Sequence, residues 1–275
     1  MSLYQGDKAL SQFYKHANKH ASGGSDPITP ESIGAAPAPF KPAGKSYLTF
    51  SSPNSFTLKV NDTTKHWDGT LEYFASDKTW TTWDGTTTLS ATNNGGEYVL
   101  YLRGTGNTVI TGNSSNYKWV LTGSDIACIG NIEYLLDYAT VEAGQHPGMA
   151  DHCYYYMFQG CTSLVQAPAL PATTLKNYCY QGMFYDCTSL AQVPALPATK
   201  LKNYCYRYMF QDCTSLKLSS TQTDEYTQEY RIPSSGTGTT ATNALTYMFI
   251  STGGTFTGSP AINTTYYLSN TNTIV

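Results

Sequence analysis

Hydrophobic and polar residues alternate with a period of two between residues 47 and 123. Phe56, Leu58 and Val60 fall on one face of this pattern, and residues 98–103 are an unbroken strand-like run. Trp-Asp-Gly triplets at 67–69 and 83–85 place Asp-Gly turns beside large aromatic residues, a strong hairpin signal. Residues 46–123 are therefore predicted to form an immunoglobulin-like β-sandwich of about six or seven short strands.

A repeat replaces this alternation from Cys153 onward. The sequence CYYYMFQGCTSLVQAPALPATTLKNY (153–178) is followed directly by CYQGMFYDCTSLAQVPALPATKLKNY (179–204) and then by CYRYMFQDCTSL from residue 205. Its period of 26 residues is typical of one leucine-rich-repeat turn. We predict a solenoid over residues 124–275, with residues 126–138 as its N-terminal cap and the tail as its C-terminal cap. Each repeat is expected to open with a short helical stretch, so the predicted fold class is mainly β with short helices.

Residues 1–45 predict an anchor and a linker. Residues 6–21 could form one short amphipathic helix with Leu10, Phe13 and Tyr14 on one stripe, and a disordered tail is the alternative. A stretch rich in Pro, Ala and Gly follows, as in linkers. Within it, Thr29 can cap a single helical turn that ends at Gly34; Ile28 precedes this turn and Ile33 lies in it. These five hydrophobic residues are the candidate assembly anchor.

Composition narrows the classes of partner. Only 13% of the residues are charged and the formal net charge is −3, whereas Tyr and Gly number 23 each. A nucleic-acid partner is not expected, because binding by counterion release needs clustered Lys and Arg. No run approaches the length of a transmembrane helix, so no membrane insertion is expected. Lys8 and Lys15 interrupt any export-signal core at the N-terminus, which favours assembly in a host cytoplasm.

Six of the seven cysteines occupy equivalent repeat positions. Equivalent residues of stacked repeats lie about 5 Å apart, so we predict two internal ladders of reduced, buried thiols. The Cys-x7-Cys spacing differs from that of zinc sites, and no metal site or cofactor is predicted. The seventh, Cys128, is expected in the capping turn.

Enzymatic motifs are missing from the sequence, and no catalytic residue is predicted. His-Glu-x-x-His, Gly-x-Ser-x-Gly and phosphate-loop motifs do not occur. Five acidic residues could converge to form a glycoside-hydrolase site, but their spacing in the sequence does not indicate that they do: Glu72, Asp77, Asp125, Glu133 and Asp137. The four tryptophans, Trp67, Trp80, Trp83 and Trp119, either stack on sugars or belong to the core.

The positions that differ between repeats predict a binding surface. The first two repeats differ at 7 of 26 positions, and four of the seven cluster around the Met-Phe pair. They are rich in Tyr and in hydrogen-bonding side chains, a composition common in binding loops. The alternative is ordinary drift on a solvated face. The candidate ligand-binding residues are Tyr155, Tyr156, Gln159, Gln181, Tyr185, Arg207, Tyr208 and Gln211.

Two segments resemble known families. Residues 28–37, ITPESIGAAP, resemble a segment common in phage tail-fibre and related virion-fibre proteins, where it also precedes the distal domains. The repeated Met-Phe-x-x-Cys-x-Ser-Leu resembles the BspA-like leucine-rich repeat of bacterial surface adhesins and gut-associated phage proteins, over residues 126–275. This chain departs from that family by having Met where Ala is usual, and by an irregular insert after Leu218.

The resemblances imply a structural virion fibre, on the tail or head of a bacteriophage, that mediates adhesion through its C-terminal repeats. The implied partners are other virion proteins at the N-terminus, a host-surface glycan or protein at the C-terminal domain, and further copies of the chain, with a trimer favoured. The implied location is the virion surface. The alternative is a bacterial cell-surface leucine-rich-repeat adhesin, which an export signal or wall anchor in the native gene would favour.

Overall fold

The computed structural model describes residues 40–44 and 47–275. Phe40–Val275 forms one compact unit. The candidate anchor residues Leu10, Phe13, Tyr14, Ile28 and Ile33 lie outside the described residues.

The described part of the chain is mainly β. Its strands are β1 (Leu48–Ser52), β2 (Thr57–Val60), β3 (Thr70–Phe74), β4 (Trp80–Trp83), β5 (Leu89–Ser90), β6 (Thr92–Asn94), β7 (Glu97–Thr105), β8 (Trp119–Thr122), β9 (Ile126–Ile129), β10 (Leu164–Gln166), β11 (Gln192–Val193), β12 (Leu218–Ser219), β13 (Tyr226–Arg231), β14 (Thr265–Ser269) and β15 (Thr273–Ile274). Helical structure is limited there to 3-10 turns at Ser115–Tyr117 and Ile132–Leu135 and one short α-helix, α1 (Tyr138–Glu142).

The N-terminal half contains two antiparallel sheets that share one core. One sheet has the order β9-β1-β7-β3-β4, with β6 also on β7, and the other has the order β5-β2-β8. Trp83 of the first sheet meets Trp119 of the second at a ring distance of 5.5 Å. The predicted alternation is confirmed in β2, where Leu58 and Val60 are buried and Lys59 is exposed.

The larger sheet continues from this half into the repeats. Strand β9 pairs antiparallel with β1 on one side and parallel with β10 on the other, after which β11 and β15 follow. The core is also continuous, because the Phe158 ring lies 6.1 Å from Phe50 and 6.2 Å from Trp119. One sheet and one core therefore cross the sequence boundary at residues 123–124.

The segments that open the repeats are successive tight turns, so the helical stretches predicted there were wrong. Every fourth residue has a left-handed backbone, with φ between 51° and 75°: His152, Tyr156, Gly160, Tyr178, Gly182, Asp186, Tyr204, Tyr208, Asp212, Asn243, Tyr247 and Ser251. Left-handed residues at this interval interrupt the hydrogen-bond series of an α-helix.

Backbone N–H groups in these turns alternate between two kinds of acceptor. The Met157 N–H donates to the Tyr154 carbonyl of its own turn at 3.2 Å. The Phe158 N–H instead donates to the Met183 carbonyl of the next repeat at 2.8 Å. Side chains consequently alternate in pairs, two inward and two outward. The inward rings of Phe158, Phe184, Phe210 and Phe249 stack at 5.6–5.8 Å.

The irregular insert after Leu218 contributes to the distal end of the stack. Its strand β13 pairs with β14, which also pairs with β12. The repeat pattern resumes with Met248 and Phe249, both buried, and β15 returns to pair with β11. Among the described residues, no helix has the length and apolar character needed to cross a membrane.

Candidate functional site

Most of the predicted binding residues line a groove on the outward face of the turns. Its lining, called here the tyrosine groove, consists of Ser115, Tyr155, Tyr156, Gln159, Tyr185, Tyr208 and Gln211. Six of these are among the eight residues predicted from the sequence. Its volume of about 430 Å³ lies within the range of small-molecule sites, about 300–1,000 Å³.

The alternation of the turns puts these side chains on the surface. Met157 and Phe158 point into the core, whereas Tyr155, Tyr156 and Gln159 are only half-buried. The rings of Tyr155 and Tyr156 meet edge to face at 4.6 Å. Groove residues from successive repeats therefore lie next to one another although they are far apart in sequence.

Gly182 allows the Tyr156 ring to lie across the second repeat. A Cβ atom at position 182 would come within 2.6 Å of Cζ of Tyr156, closer than side chains tolerate. Gly182 also has φ of 59°, a conformation that favours glycine. The corresponding residue of the third repeat is Tyr208, so the missing side chain in the second repeat makes room for its neighbour's ring.

Tyr208 is held on both sides. Its ring stacks on Tyr247 at 5.6 Å with an interplanar angle of 7°. The Arg207 guanidinium lies 4.3 Å from the ring centre of Tyr208 and donates a hydrogen bond to the Tyr208 hydroxyl. The cation is thus engaged with tyrosine, and Arg207 does not line the groove.

Gln181, the other predicted residue outside the lining, lies behind it. Its side chain is 5% exposed and hydrogen-bonds to the side chain of Tyr156. The carbonyl oxygen of the amide has no hydrogen-bond partner among the described residues. Gln181 and Arg207 therefore support the groove tyrosines from behind.

The groove is lined by neutral side chains only. Burial raises the pKa of Tyr155, of Tyr156 and of Tyr185 above the ordinary phenol value. For Tyr156 the hydrogen bond with Gln181 opposes this rise in pKa, and for Tyr185 a hydrogen bond to Asp212 adds to it. These phenols stay protonated at neutral pH and can both donate and accept hydrogen bonds.

Ser115, which the repeat pattern did not predict, approaches the groove from the segment before β8. This segment covers the first repeat: N–H groups of Ile110 and Trp119 donate to the carbonyls of Cys153 and Met157 at 2.9 and 2.7 Å. It therefore takes the position of a preceding repeat without sharing the repeat sequence. No repeat-based signal could have identified it.

The cysteines do not contribute to a surface site. All seven are free and buried, which confirms the predicted burial of both ladders. The thiols of Cys187 and Cys213 donate to the carbonyls of Phe158 and Phe184 at 3.1 and 3.0 Å. Cys128 lies in β9, where it pairs with Phe50 of β1, and β9 also pairs with β10 of the first repeat.

Three tryptophans are too deeply buried to stack on sugars. Trp67, Trp83 and Trp119 are 3%, 1% and 0% exposed, so they are core residues. The half-buried Trp80 lies under the Arg103 guanidinium at 4.2 Å.

Four of the five acidic residues considered for glycoside hydrolysis have separate local partners. Glu72 pairs with Arg103 at 2.8 Å, and Glu133 pairs with His146 at 2.8 Å. Asp77 accepts hydrogen bonds from Thr79, and Asp137 accepts one from the Thr140 N–H at the start of α1. Among the described residues, no group of three or more His, Cys, Asp or Glu side chains is placed to hold a metal ion.

Comparisons with models of protein families, with curated proteins and with solved structures found no match to this chain.

Proposed function

We propose that this chain is a structural fibre protein of a bacteriophage virion that binds a host surface through the tyrosine groove. In this proposal the stacked turns are a leucine-rich-repeat solenoid, and the two sheets before them are an immunoglobulin-like sandwich. Residues 1–39 attach the chain to other virion proteins or to its own copies.

The single observation that carries the proposal is the convergence of the variable positions. Six residues chosen because they differ around a constant Met-Phe core line one groove on one face. Neutral sequence drift on a solvated face gives no reason for glycine at position 182, where the Tyr156 ring occupies the space of a side chain. Rigid tyrosines with flanking amides are a composition suited to recognition at low entropic cost.

Weak sites suffice for attachment when a particle carries many copies. Several fibres that engage one cell convert later binding events into intramolecular ones, which raises the overall avidity without new contacts. A small open groove on each chain is consistent with that mode. The ITPESIGAAP segment favours the virion fibre over the bacterial surface adhesin, which would use the same groove.

The test is attachment of the labelled full chain to a panel of bacterial strains. Wild-type chain is expected to label at least one strain, and replacement of Tyr156, Tyr185 and Tyr208 together by Ser is expected to abolish labelling. Removal of one central aromatic typically costs about 2 kcal/mol, or roughly thirtyfold in affinity.

Tyr267→Ser supplies the matched control, because Tyr267 is half-buried in β14 and lies outside the groove. It is expected to bind as the wild type does. No labelling of any strain by the wild type, or undiminished labelling by the triple variant, would contradict the proposal. Co-purification of the chain with phage particles, rather than with cell walls, separates the fibre from the adhesin.

A further inference from the structure

The chemistry of the tyrosine groove selects among the host-surface molecules that could fill it. The groove offers aromatic rings, two amides and a hydroxyl, with no charged side chain in its lining. Two nearby charges are engaged with groove tyrosines, Arg207 with Tyr208 and Asp212 with Tyr185, and the Lys118 ammonium lies beside Gly160, outside the lining. An anionic ligand would therefore find no free cation in the lining.

The backbone under the groove is unavailable to a peptide strand. N–H groups of Tyr156, Gly182 and Tyr208 donate to carbonyls of the following repeats at 2.8, 2.8 and 3.2 Å. Recognition of an extended peptide by strand addition needs free main-chain groups at a sheet edge. The groove lining contains no aliphatic side chain that would form a pocket for an apolar anchor.

Two of the four rings that line the groove are packed against other parts of the protein in the absence of a ligand. Tyr156 lies against Gly182, and Tyr208 is packed between Arg207 and Tyr247. A pyranose ring has an apolar C–H face, which packs on an aromatic ring, and a rim of hydroxyls, which pair with amides and phenols that both donate and accept. Preorganised rings limit the entropy lost on binding.

We propose that the ligand of the tyrosine groove is a neutral oligosaccharide, bound by stacking of a pyranose ring on the groove tyrosines and by hydrogen bonds to Gln159 and Gln211. This inference rests on the proposed function, since it names the ligand class of the same groove. The volume of about 430 Å³ sets the bound portion at the size of a small ligand.

The first experiment measures binding of the full chain to an array of neutral and acidic oligosaccharides, with saturation-transfer NMR on the binders. Neutral oligosaccharides are expected to bind, with saturation of their ring C–H protons. Tyr185→Ala is expected to weaken binding at least tenfold and Gln159→Ala severalfold, whereas Tyr267→Ala has no effect. Binding of acidic probes alone, or equal binding by Tyr185→Ala, would overturn the assignment.

The second experiment separates the ligand class from the proposed function. Cells that the wild-type chain labels are treated either with mild periodate, which cleaves vicinal diols of sugars, or with protease. Loss of labelling after periodate only is the expected result. Loss after protease only, with labelling still dependent on Tyr185, would overturn the saccharide and retain the attachment function. Labelling independent of Tyr185 and of the triple substitution would overturn both.

Discussion

Gly182 has a left-handed backbone and lies directly against the Tyr156 ring. Gly160, which lies four residues after Tyr156 in the first repeat, also has a left-handed backbone but is exposed. A Cβ on Gly160, which has φ of 75°, would meet only Nζ of Lys118, at 3.6 Å. We expect Gly160→Ala to lower the free energy of unfolding by about 1 kcal/mol, the cost of a left-handed alanine. Gly182→Ala should cost roughly 1–2 kcal/mol more, because overpacking displaces the ring. Equal losses in urea unfolding would show that the ring can move freely.

The buried thiols predict how stability depends on pH. Burial raises the pKa of Cys161 to about 12 and that of Cys205 to about 12. An unfolded cysteine has a pKa of about 8.5, so the folded pKa is the higher one. The stabilising contribution is complete below about pH 8.5 and is lost as the pH rises from there toward 12.

Each buried thiol should lower the free energy of unfolding by up to about 1.4 kcal/mol per pH unit in this window. Urea unfolding between pH 8 and 9 measures the slope where unfolded cysteine titrates and unfolded tyrosine, with a pKa of about 10, is still mostly protonated. Cys161→Ala removes one thiol and should give a shallower slope. An unchanged slope would mean that Cys161 titrates equally in both states.

The hydrophobic pattern of the repeat was compatible with two elements, and the wrong one was predicted. Cys153, Tyr154, Met157, Phe158 and Cys161 are buried, and their spacing fits a helix face as well as a chain of four-residue turns. The choice depends on hydrogen bonds to the following repeat, such as that from Phe158 to Met183. A single-segment pattern does not contain those contacts. Both elements place the intervening residues opposite the core, and Tyr155, Tyr156 and Gln159 do lie half-buried at the surface, whereas Gln181, predicted to be outward, is buried.

Ser251 distinguishes the two elements by experiment. It is exposed, with φ of 57°. In a helix Ser251→Gly would cost free energy, since glycine is about 0.5 kcal/mol or more worse than serine there. In the left-handed turn it should instead stabilise by about 0.5–1 kcal/mol, because glycine adopts this conformation without steric cost. Ser251→Ala, which keeps the left-handed strain, should stay within about 0.5 kcal/mol of the wild type. Destabilisation by Ser251→Gly in thermal unfolding would contradict the turn.

At the scale of the whole molecule, the sequence separated two regions that the structure joins. Each region was recognisable by its own period, of two residues or of 26. Their union depends on β9, which pairs with β1 on one side and with β10 on the other. Pairing between distant segments leaves no local periodic signal, and the same holds for the segment before β8 that brings Ser115 to the groove.

The compact unit also fixes where an N-terminal deletion can end. The Phe40 N–H donates to Asn94 at 2.9 Å, its carbonyl accepts from the Tyr101 hydroxyl at 3.2 Å, and its ring lies 5.2 Å from Phe74. We expect deletion of residues 1–39 to preserve the free energy of unfolding and to abolish oligomerisation, since the proposed anchor is removed. Deletion of residues 1–41 should abolish oligomerisation equally and also destabilise the chain by about 2–4 kcal/mol, because the buried phenylalanine is lost. Sedimentation velocity and urea unfolding of both variants provide the measurement. Full oligomerisation after the shorter deletion would place the assembly interface within residues 40–275 and refute the anchor.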